Sequence, residues 1–115
     1  MGAMWENGST LSNVDLGIYD RNGARLIALG TTAQSGASTS QTASLTPTTI
    51  PPGLYYIAMV MDSATAQTGR ITPSIQLQQT CGVQQQATAF PLPSTATFAN
   101  PTQAYAPMFS IRTNG

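Results

Sequence analysis

The chain has 115 residues, 41 % of them hydrophobic, with 10 Gly, 8 Pro, a single Cys and a net charge of zero. Only 7 % of its residues are charged, against about 25 % in ordinary soluble domains, and neither Lys nor His occurs. This excludes the clustered cations that nucleic acid or anionic lipid needs, an imidazole or amine base for catalysis, and a zinc site built on His or paired Cys.

Such a length carries one domain with a single core. The opening Met1-Gly2-Ala3-Met4 has neither the basic region nor the apolar run of a signal peptide. It reads as a cloning remnant outside the fold, which leaves residues 5–115 as one domain cut from a longer protein. Val14, Leu16 and Ile18 alternate with Asp15, Gly17 and Tyr19, the period of a half-buried strand. Asp20-Arg21-Asn22-Gly23 follows, and Leu26 to Leu29 returns. Oxygen ligands beside a glycine can open a calcium loop, but that needs a bidentate acid twelve positions in, and position 31 is Thr. An Asn-Gly pair between two apolar runs is instead the signature of a hairpin, with Asp20 accepting from the turn's backbone N–H groups.

Residues 31–41 are small and polar, a surface loop or weak edge strand, and a short run at Thr42 to Leu45 leads to the rigid turn Ile50-Pro51-Pro52-Gly53. The segment Leu54 to Met61 is apolar on both faces, so both must be covered. Either later segments of the chain cover the second face, or a neighbouring subunit does. Further runs fall at Arg70 to Ile75, Thr95 to Phe98 and Met108 to Arg112. Ser74 to Gln86 is the one helical candidate, interrupted by Gly82. Phe90-Pro91-Leu92-Pro93 cannot be a central strand, because prolines supply no ladder donors. The expected fold is all-β: an antiparallel β-sandwich, jelly-roll-like, of six to eight strands with at most one short helix. No apolar run reaches the roughly 18 residues of a membrane span.

Catalysis finds few candidates. There are four acids, Glu6, Asp15, Asp20 and Asp62, and no base to activate a Ser, Thr or Cys nucleophile. The chain reads as a non-enzyme with no catalytic residue, metal or cofactor, and Cys81 as an ordinary buried thiol. Among the aromatic residues, Trp5 and Tyr105 have small or polar neighbours and are the candidates for an exposed ligand-binding ring.

Three stretches, NVDLGIYDRNGARLIALGTTAQSGAS, PPGLYYIAMVMD and GVQQQATAFPLPSTATFA, resemble in their order a module of bacteriophage virion proteins, of the tail-fibre, receptor-binding and head-appendage kinds. The resemblance implies a structural or host-attachment β-module on the virion surface, present in several copies beside other virion proteins and able to meet host-surface glycan. With it comes the expectation of a homo-oligomer, a trimer rather than a dimer, joined through Tyr55, Ile57, Met59 and Met61 on one face of the 54–61 strand. A carbohydrate-binding module of a secreted bacterial enzyme or adhesin is the alternative.

Overall fold

A computed structural model describes residues 1–87 and 89–113. The chain forms, in order, β1 (Gly2–Glu6), β2 (Asn13–Asp20), β3 (Arg25–Ala28), β4 (Thr32–Ala33), β5 (Ser40–Ser44), β6 (Tyr55–Met61), β7 (Arg70–Ile71), α1 (Ile75–Thr80), β8 (Ala106–Pro107) and β9 (Phe109–Arg112). The fold is all-β, built of several antiparallel sheets with one short helix. One sheet has the order β5-β1-β9. In the second, β2 is central, with β6 along one side and β3 and β4 sharing the other; β7 and β8 form a small separate pair.

The strand that organises the molecule is β2. Val14, Leu16 and Ile18 enter a buried cluster with Ala3, Trp5, Ile27 and Leu45, so the two larger sheets share one core. The opposite face of β2 is buried as well, and there the sequence pattern is less direct. Asp15, Gly17 and Tyr19 lie beneath the segment Phe90–Ser94. The Leu92 N–H donates to Asp15 Oδ2 at 2.9 Å, and the Tyr19 hydroxyl donates to the Pro93 carbonyl at 2.6 Å. A Cβ at Gly17 would collide with the Ile27 carbonyl oxygen and stand 2.9 Å from Leu92 Cδ1. Only glycine lets the Ile27 carbonyl come this close.

The Asp20–Gly23 stretch is the expected hairpin turn. Asp20 Oδ1 accepts from the Asn22 and Ala24 N–H groups, both at 2.9 Å, and the Asp20 carbonyl accepts from Gly23 at 3.1 Å. Gly23 has φ +90° and its backbone lies against the Ala96 carbonyl. The helix falls inside the expected 74–86 window: Ser74 caps it, its Oγ accepting from the Leu77 N–H at 3.1 Å, and Gly82 lies just past its end. Thr95 to Phe98 forms no strand, only a bridge from Thr95 to Ala24, because its backbone follows the hairpin rather than a sheet edge.

Two expectations are overturned. Residues 1–4 are not outside the fold. Gly2–Glu6 is the central strand of its sheet, pairing Ala3 with both Ala43 and Ile111. Nor is Cys81 buried: it caps the C-terminus of α1, where the chain turns, and its thiol is exposed.

Candidate binding groove

A cleft of about 550 Å³ runs between β6 and the segments that follow α1. Its β6 side carries Tyr55 and Tyr56, its far side Gln84, Phe98, Tyr105 and Pro107. A second cavity of about 530 Å³ adjoins it past Met59 and Val60, sharing Tyr105 and Pro107 and adding Glu6 and Arg70. Together they flank β6 along its length.

The walls hold themselves in place with side-chain amides. Gln78, buried in α1, donates from Nε2 to the Gln103 carbonyl at 2.7 Å. Gln85 Oε1 accepts from the Thr102 N–H at 2.9 Å, and Gln86 Oε1 from the Thr97 N–H at 2.6 Å. These glutamines supply the acceptors and donors that a neighbouring strand would otherwise supply. Among the described residues, every buried side-chain nitrogen or oxygen has a partner.

Tyr105 stands where the sequence placed it, 43 % exposed at the mouth of the groove, with the Arg70 guanidinium 4.7 Å from its ring centroid. A flat ring beside a cation and amides can stack on an apolar or sugar face while the rim donates hydrogen bonds. Trp5 is a correction. It is 3 % exposed, and its indole N–H donates to Gln34 Oε1 at 2.9 Å in the core. Its polar neighbour Glu6 and its exposed neighbour Met4 occupy the outward positions of the same strand, so side chains that suggested exposure are the other half of a period-two pattern.

The faces of β6 are also resolved. Tyr56 packs on Phe98 with ring centroids 4.6 Å apart, so a later segment of the chain covers that face. Tyr55, Met59 and Met61, expected at an oligomer contact, pack against the chain's own core, and Ile57 alone of the four is largely open at 49 %.

Sequence reasoning missed the group that holds the groove's floor. Asp15 is fully buried and accepts from the Gly30 N–H at 2.8 Å as well as from Leu92. Beside it, the Arg25 guanidinium donates to the Leu92 carbonyl, and the Arg25 N–H donates to Ser94 at 2.9 Å. Burial pushes the Tyr19 phenol above its ordinary value; Arg25 opposes the shift and Asp15 adds to it. An acid inside an otherwise apolar alternation was the available signal. The acids are thus dispersed: Asp15 and Asp20 hold backbone N–H groups, and Asp62 holds the Asn13 N–H at 3.0 Å and side-chain amide at 2.7 Å. No protein-family model matches this chain, and no curated protein or solved structure matches it either.

Proposed function

We propose that the chain is a non-enzymatic structural or host-attachment domain of a bacteriophage particle, a jelly-roll-like β-sandwich displayed in several copies on the virion surface. The observation that carries this reading is the convergence of the three stretches on which the resemblance rests. The β2–β3 hairpin, β6 and the 90–98 segment pack on one another through the Asp15–Leu92, Tyr19–Pro93 and Tyr56–Phe98 contacts. They act as one structural unit rather than three unrelated matches. Its chemistry is that of shape and hydrogen bonding on a rigid surface, and Tyr105 with Arg70 offers a platform for host-surface glycan.

Immunogold labelling with an antibody to this domain tests the reading. Particles decorated at the tail or head support it; label confined to a bacterial culture fluid supports the alternative, a carbohydrate-binding module of a secreted protein, which the exposed Tyr105 ring also suits. A glycan array with the isolated chain then separates attachment from a purely structural role.

A further inference from the structure

Ile57 apart, the faces of β6 pack against its own chain, but one of its edges has no backbone partner among the described residues. Successive residues of a strand send their N–H and C=O groups to opposite sides. The Leu16 carbonyl accepts from Leu29, on the β3 side, whereas the Asn13 carbonyl accepts from Asp62, on the β6 side. With the register Asp15↔Val60, Gly17↔Ala58 and Tyr19↔Tyr56, these even-numbered residues of β6 hydrogen-bond to β2. Tyr55, Ile57, Met59 and Met61 therefore turn their backbone groups outward. Among the described residues, no backbone group bonds to them.

The other strand edges carry the usual protection. β3 is four residues long and starts with Arg25, β4 has two residues, β5 reads SQTAS, and β9 is four residues ending in Arg112. By contrast β6 is seven residues of YYIAMVM, with no charge, proline or glycine. A long, uncharged, apolar edge is a template for another strand, and folded proteins cover such edges or blunt them.

We propose that the open edge of β6 joins two copies of this chain, paired antiparallel about a two-fold axis through Ile57, so that the central sheet runs on from one copy into the next. The inference rests on the multi-copy reading above. The occupant follows from the edge itself: only a polypeptide offers matching N–H and C=O groups, and an uncharged strand meets its own copy without repulsion. In this register Ile57 lies beside its counterpart and Tyr55 opposite Met59. Val60 comes opposite Leu54, whose side chain is 63 % exposed, and Asp62 falls opposite Pro52 rather than against another acid. A two-fold edge contact closes at two copies, which selects a dimer over the trimer expected from the sequence. A strand of this length is about 24 Å long, and one added strand buries less than the roughly 1,000 Å² of a firm interface. The dimer is therefore reversible and dependent on concentration.

Sedimentation of the whole chain from about 5 to 500 µM, with residue-resolved amide exchange at both ends of that range, tests this. The expected result is a monomer–dimer equilibrium in which the Ile57 and Met59 amides gain at least about tenfold protection at high concentration, while Tyr56, Ala58 and Val60 are protected throughout. Ile57→Lys, at an open position, keeps the fold by circular dichroism and weakens dimerisation at least about tenfold; Leu26→Lys on β3 leaves it unchanged. If Ile57→Lys does not fold, the exchange pattern of the unaltered chain decides alone. A monomer at every concentration, a trimer, a dimer whose Ile57 and Met59 amides still exchange freely, or protection of those amides in the dilute monomer would each overturn the inference. None of these outcomes bears on immunogold labelling of particles, so the two readings fail separately.

Discussion

The halves of the chain on either side of Met61 are held together by different means. Before it, β1 and β2 pair in ladders on both sides and β3, β5 and β6 on one, and the side chains are free to fill the core. After it, the strands have two to four residues and α1 has six. Much of that backbone is held by side chains instead: Asp15, Tyr19 and Arg25 reach out of the β2–β3 hairpin, and Gln78, Gln85 and Gln86 act within the second half. A ladder bond lost at one residue leaves its neighbours in register. A side-chain staple has no such redundancy, so the second half concentrates its sensitivity in a few residues.

Asp15→Ala is the strongest way to break that contrast. It leaves the part-buried Gly30 and the buried Leu92 N–H groups without acceptors, and each bond to a carboxylate contributes about 1.5–3 kcal/mol, so the loss is about 3–6 kcal/mol. Urea unfolding measures the total. Amide exchange shows where it falls: the 90–98 segment opens first, and the β1 amides keep their protection. Uniform loosening of both halves would erase the distinction between them.

The same contrast explains how much could be read in advance. The hairpin turn, the 55–61 strand and the helix with its glycine stop are encoded by neighbours in sequence, and they form where expected. Trp5 and residues 1–4 were misplaced because β1 is defined by partners near positions 43 and 111, which local composition does not reveal. The Asp15–Leu92 staple spans 77 positions, and an isolated acid carries no mark of its distant partner. Of the residues lining the candidate groove, Tyr55, Ile57 and Met59 of β6 were expected at an oligomer contact instead, whereas the exposure of Tyr105 was legible. The amide-stapled walls were not, because a glutamine on the surface and one serving as a strand substitute look alike in sequence.

Gln78→Ala sharpens the contrast within the second half. It removes the donor to the Gln103 carbonyl, a part-buried bond whose loss costs about 0.5–1.5 kcal/mol. Limited proteolysis near residue 103 speeds up more than thermal unfolding of the whole chain changes. Tyr19→Phe removes one hydroxyl bond to Pro93, at about 1 kcal/mol, and adds a test against pH. The folded phenol is shifted above its ordinary 10.0 by burial, so the fold favours the neutral form. Its contribution is complete below about pH 10 and is lost as pH rises through the folded value. The stability difference between the parent and Tyr19→Phe therefore shrinks on raising the pH from 9 to 12, as read by denaturant midpoints. Tyr105→Ala gives the smallest change in stability, within about 0.5 kcal/mol for an exposed side chain, while any glycan binding seen on an array is lost.

The middle position of β1 also bears on how the chain is made. Its two neighbours are Ser40–Ser44 and Phe109–Arg112, so β1 is made long before the second of its two partners. The hairpin and its β6 partner can assemble while translation continues, but the three-stranded sheet closes only after Arg112 has emerged. Pairings between such distant positions form slowly, and until then one edge of β1 keeps its backbone groups unpaired and open to other strands.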